Sequence, residues 1–88
     1  MKLKYNFVSN EVADKIVAVA VGDDLQKFNG FIKMNDTGAY IFNMLKNDVT
    51  EEEIVAAMKK DYSDATEEEI RESVNEFVGK LKDADVLE

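Results

Sequence analysis

At 88 residues, with 45% apolar side chains, no Pro and a net charge of −8, the chain is sized and composed for one domain with one core. It contains neither Cys nor His, which excludes thiol redox chemistry, thiolate or imidazole metal ligation, and every catalytic triad that uses His as its base. No window approaches the roughly 18 continuous apolar residues that cross a bilayer, and Met1–Asn6 lacks the apolar core of a signal peptide, so the cytoplasm is the expected compartment.

The elements fall in a clear order. Tyr5 to Val8 is a weak strand candidate, and the β-branched run from Lys15 to Val21, closed by Gly22-Asp23-Asp24, is a strong one. In the latter, Val17, Val19 and Val21 point one way and Ile16, Ala18 and Ala20 the other, so both faces are apolar. From Phe28 to Met34 the alternation places Phe28, Gly30, Ile32 and Met34 on one face and Asn29, Phe31 and Lys33 on the other. Short connections make these three strands an antiparallel meander.

From Asn35 the period changes to about 3.6. Thr37, Ile41, Met44 and Leu45, with Ala39 and Phe42, form the stripe of a first helix, capped by Asn35 or Asp36. Gly38 in its first turn allows close packing. Thr50-Glu51-Glu52-Glu53 and Thr66-Glu67-Glu68-Glu69 are capping boxes that open a second and a third helix. Ile54, Val55, Met58 and Tyr62 stripe the second, and Ile70, Val74, Phe77, Val78 and Leu81 stripe the third. The six Glu residues read as helix-end stabilisers rather than sites, because carboxylates in a first turn complement the helix dipole. An EF-hand calcium loop starting at Asp61 fails at Thr66, where the turn glycine is required.

Charge divides the chain. Residues 1–34 balance at +1, whereas residues 35–88 carry six basic and fifteen acidic side chains, a balance of −9. Such a surface repels nucleic-acid backbones and favours basic or neutral partners.

Three strands followed by three helices give an α+β domain. The stretch "MNDTGAYIFNML", the Thr-Glu-Glu-Glu-Ile helix start with its Tyr62, and the closing "EFVGKLKDADVLE" together resemble the PqqD family, named for coenzyme PQQ synthesis protein D, over about Lys15 to Leu87. That family carries a Leu-Asn-x-Thr-Gly/Ala-x-x-Ile-Trp/Phe-x-Leu-Leu step and ends Phe-x-x-x-Leu followed by Gly-Leu-Leu. Here Met34 stands for the Leu, a gentle core swap. Asp85-Val86-Leu87 replaces Gly-Leu-Leu, and Asp tolerates a left-handed conformation better than most residues.

The resemblance implies a winged-helix-turn-helix-like fold over residues 1–88 with no catalysis, cofactor or metal of its own. It implies capture of the leader segment of a ribosomally made precursor peptide, and its presentation to a modifying enzyme such as a radical SAM protein. In such modules the leader adds as a strand to the edge of the third strand, beside the third helix. The residues expected at that site are Asn29, Gly30, Phe31, Ile32 and Lys33 of the strand, and Arg71, Val74, Asn75 and Val78 of the helix. Gly30 fits either close approach of another backbone or a bulge. Val74 and Val78 fit the core as well, and Arg71 also suits an ion pair with Glu67.

Competing functions fit less well. A winged-helix transcription regulator would lead its third helix with basic or amide side chains, whereas this one leads with Glu67, Glu68, Glu69, Glu72 and Glu76. Ser9, Ser63 and Ser73 lack the context of a carrier-protein attachment site. No carboxylate pair stands apart from the capping clusters as an acid and base. The two apolar faces of the middle strand call for a cover on the outer side: the N-terminal segment, a second copy in a homodimer, or the partner enzyme.

Overall fold

The β-branched run forms the middle strand of the sheet, as its composition dictates. A computed structural model describes all residues from Met1 to Glu88. Strands β1 (Phe7–Val12), β2 (Lys15–Ala20) and β3 (Phe31–Met34) make an antiparallel sheet in the order β1-β2-β3. Helices α1 (Asp36–Met44), α2 (Glu51–Asp61) and α3 (Glu67–Asp83) follow. No helix is long and apolar enough to cross a membrane.

Register sorts the sheet's two faces. Phe7 pairs with Ala20, Ala18 with Ile32 and Ile16 with Met34, and this side meets the helices. Ala18, Ala20, Ile32 and Met34 are buried there. The outer side carries the rows Val8–Val19–Phe31 and Asn10–Val17–Lys33. Val8 and Phe31 are exposed, so no segment of this chain covers that face. The N-terminal segment lies elsewhere: Lys4 N–H donates to the Val86 carbonyl, Glu88 N–H to the Lys2 carbonyl, and Leu3 N–H to the Leu45 carbonyl.

Two strands differ from expectation. The first runs to Val12 rather than ending at Val8, because backbone pairing with β2 stabilises a polar Ser9-Asn10-Glu11 stretch that has no apolar pattern of its own. The third starts at Phe31 rather than Phe28. Residues Gly22–Gln26 form a 3₁₀ turn, and Phe28 N–H is still bonded to the Asp24 carbonyl. Phe28 is drawn inward by its neighbours Tyr5 and Phe7, with ring centroids 6.4 Å and 5.7 Å away, and not by a place in the ladder. Gly30 therefore precedes the strand and makes no bulge; within the chain a Cβ there would meet only the Phe28 ring, at 3.8 Å.

The helices begin where their caps are written. The Asn35 side chain accepts the Gly38 N–H, and both Thr-Glu-Glu-Glu clusters form reciprocal capping boxes. Helix α3 ends in a Schellman motif: Val86 N–H reaches the Leu81 carbonyl and Asp85 N–H the Lys82 carbonyl, with Asp85 at φ 58°. Asp85 takes the left-handed position usual for Gly and also pairs with Lys4 at 2.7 Å. Val86 and Leu81, the apolar pair of that motif, are both fully buried.

Core side chains from all three helices close over the inner sheet face, with Ile41, Phe42, Leu45, Ile54, Met58, Val74 and Leu81 essentially inaccessible. On the far side, Arg71 ties α3 to α2. It makes a two-pronged pair with Glu52 at 2.8 and 2.9 Å and a further bond to Glu67, which Lys59 also holds. At the other end of α2, Tyr40 donates to Asp61 at 2.5 Å, and that acceptor pushes the phenol up to about 12.

Three outcomes follow from this packing. Gly38→Ala would put a Cβ 3.0 Å from a Phe77 ring carbon and 3.1 Å from the Met34 Cβ. Ala ordinarily stabilises a helix interior over Gly by about 1 kcal/mol. Here urea unfolding should instead show a loss of about 1–3 kcal/mol from overpacking. Ala13, in the β1–β2 turn, sits at φ 58°. A left-handed Ala costs about 1–2 kcal/mol, partly offset in Gly by a freer unfolded chain, so Ala13→Gly should raise stability by about 0.5–1 kcal/mol. Finally, Arg71 holds the carboxyl of Glu52, and Lys59 with Arg71 that of Glu67, below their ordinary value of 4.5. A carboxyl that ionises more readily in the folded state stabilises above its unfolded value, and that contribution is lost as pH falls through the folded one. The urea midpoint should drop as pH falls below 4.5, and Arg71→Met should flatten that drop.

Candidate functional site: a free strand edge beside a groove

The sheet has two outer edges, and they differ in what stands beside them. In an antiparallel edge strand, each residue sends its N–H and C=O either both to the neighbouring strand or both outward. The Lys33 carbonyl accepts a bond from Lys80 Nζ on α3, so Lys33, and with it Phe31, faces outward. Ile32 and Met34 are then the residues bonded to β2. A proline at Ile32 would break the ladder and the core together, whereas one at Lys33 would remove only an outward donor.

Beside this edge, α1 and α3 enclose a groove of about 290 Å³, with Met34, Gly38, Ile41 and Phe77 on its floor and Ser73, Glu76 and Lys80 on its wall. Gly38 creates it, because only a residue without a Cβ lets Phe77 lie so close to the start of α1. Phe77 is in turn braced by Phe42, with ring centroids 6.5 Å apart, and Phe42 by Phe7 at 5.3 Å.

The expected strand residues and helix residues are only partly brought together. Phe31 is 60% exposed at the free edge, Lys33 is beside it, and Ile32 is buried between them with its side chain in the core. Asn29 and Gly30 are exposed just before the strand, outside the ladder. On α3 the margin that meets β3 is the one with Ser73, Glu76 and Lys80. At 100° per residue, Arg71 and Asn75 lie on the opposite margin and Val74 and Val78 in the buried stripe between them. The helix part of the expected set is thus not brought to the β3 edge: Arg71 is turned to Glu52, and Asn75 to an outer depression with Glu67, Glu68, Glu72 and Glu76 that has no apolar side chain in its lining. The Lys80 contact and the Gly38 cleft are what distinguish the margins, and Gly38 is the sequence signal that could have found them.

Magnitudes separate the two edges. Phe31 and Lys33 offer two N–H and two C=O groups, each contributing about 0.5–1.5 kcal/mol net. Ordering each residue of an added strand costs about 1–2 kcal/mol, so backbone pairing alone roughly cancels. Apolar anchors must supply the net affinity, at about 1.5–3 kcal/mol each. The β3 edge has the groove for such anchors. At β1 the inward-facing Ser9 and Glu11 are exposed, with no helix over them to build one.

The lysine side chains at this site are not matched by a buried acid or nucleophile: no buried polar or charged residue exists in the chain, and no group of three or more acidic side chains converges as a metal site. The geometry is suited to holding an extended peptide.

Comparison with known proteins agrees with the fold. No curated protein matches the chain. Among solved structures, that of TbiB1 in complex with the TbiA(beta) leader peptide is similar, with a TM-score of 0.74 and 25% identity, covering 100% of this chain and 95% of that one. The model of the family described as coenzyme PQQ synthesis protein D (PqqD) matches residues 15–87, from the central strand through the end of the third helix, and the chain belongs to that family.

Proposed function

We propose that this protein is a non-catalytic leader-peptide recognition module. The leader segment of a ribosomally synthesised precursor adds as a strand to the outward edge of β3, at Phe31 and Lys33. Its inward side chains enter the groove floored by Phe77, Met34 and Ile41, and the rest of the precursor is presented to a modifying enzyme, in the first instance a radical SAM protein. The single observation that carries the reading is the conjunction of an unpaired edge strand with a groove directly beside it, polar at its walls and floored by the apolar Met34, Ile41 and Phe77. Family membership, and the leader peptide held by TbiB1 in its own complex, support the same choice of ligand. The outer sheet face, with Val8 and Phe31 exposed, is the surface proposed for the partner enzyme or a second copy.

Isothermal titration against the leader region of a precursor encoded beside the gene tests this. Phe31→Ala should weaken binding by about ten- to a hundredfold, the loss of one apolar anchor. Lys33→Pro should weaken it by blocking an edge donor while leaving the circular dichroism spectrum unchanged. Arg71→Met, on the far margin of α3, should bind like wild type. Tight binding indifferent to Phe31 and Lys33 would refute the site.

A further inference from the structure

The outer face of the sheet is mapped completely by its register. Across the three strands the outward side chains are Val8, Val19 and Phe31 in one row, Asn10, Val17 and Lys33 in the next, and Val12 and Lys15 in the last. No carboxylate occurs among them. Lys33 forms no ion pair, whereas Glu53 and Glu69 of the helical half close capping boxes and Glu52 and Glu67 pair with Arg71 and Lys59. A strand added at β3 therefore meets an unneutralised cation on this face, with an apolar row two residues along it.

Lys80 sharpens the point. Its ammonium sits on the Lys33 carbonyl, which an incoming strand's N–H must take. Once displaced, Lys80 has Glu76 at i−4 as an alternative partner, a favourable spacing and orientation on a helix. Lys33 has no such alternative within the chain.

We infer that the leader segment bound at β3 carries a carboxylate side chain directly opposite Lys33, and an apolar side chain two residues away, opposite Phe31. The inference rests on the leader-binding reading above and adds the ligand's chemistry to it. Side chains alternate along an added strand, so residues two apart share the outer face. Directly opposed pairs of opposite charge and of apolar with aromatic are the favourable ones. The second member extends the row Val8–Val19–Phe31 by one strand. The net charge of −8 argues for basic or neutral partners only at long range. At about 0.15 M salt, screening over about 8 Å leaves the choice to the nearest charges: Lys80 and Glu76 stand together on the groove side, and Lys33 alone on the outer face.

A displayed library of random twelve-residue peptides, selected separately on the wild-type protein and on Lys33→Glu, tests this. Wild type should enrich peptides with an apolar and an acidic residue two apart, in either chain direction. Lys33→Glu should replace the acid by Lys or Arg at the same spacing. In a selected peptide, changing the acid to its amide should weaken binding about fivefold on wild type. The same change should have no effect on Lys33→Met. Peptides that need Phe31 but show no acid preference, or one that survives charge reversal, would overturn the inference and leave leader binding standing. A library with no enriched peptides, or peptides that bind Lys33→Pro as well as wild type, would remove the leader-binding reading and this inference with it.

Discussion

The approach of the Phe77 ring to Gly38 governs the layout of the domain. Helix α3 can lie against the start of α1 and the end of β3 only because position 38 has no Cβ, whose nearest neighbours would otherwise be 3.0 and 3.1 Å away. Asn35 fixes the same corner from the other side by capping α1 with its side chain. With the corner set, the edge of β3 faces a groove instead of open solvent or a covering helix. An edge left bare would invite indiscriminate strand pairing, and one fully covered could bind nothing. Lys80 on the Lys33 carbonyl is an intermediate solution: the acceptor is satisfied, yet by an exposed side chain that another donor can displace.

The acidic charge belongs mostly to the fold. Glu53 and Glu69 close capping boxes, and Glu52 and Glu67 hold Arg71 against α2. Exposed pairs of this kind contribute little individually, but together they set helix starts and the angle between α2 and α3. That division leaves the helical half structural and the sheet edge available for recognition, with its own local charge of opposite sign.

The helices were legible from sequence because cap and stripe agree in each: Thr50, Thr66 and Asn35 mark starts, and the 3.6-residue spacing marks the buried face. Asp85 was legible too, as a left-handed helix end that lacks the family's Gly. The strands were less so. Ser9-Asn10-Glu11 is polar on both faces, and only its pairing with β2 makes it a strand. Phe28 continues the alternation of β3 by coincidence, being half-buried against aromatic neighbours at the end of a 3₁₀ turn. The helix margin of the site could not be chosen from the stripe, since an amphipathic helix has two margins of equal standing. The tie is broken by contacts distant in sequence, Phe77 with Gly38 and Lys80 with Lys33.

Addition of a leader strand at β3 makes a specific demand on two backbone amides. Amide hydrogen exchange, followed residue by residue with and without a bound leader peptide, reads it directly. The Phe31 and Lys33 N–H groups should exchange rapidly in the free protein and become strongly protected in the complex, while the free edge of β1 stays unprotected at Ser9 and Glu11. Unchanged exchange at Phe31 and Lys33 under saturating peptide, or protection appearing on β1 instead, would contradict the account.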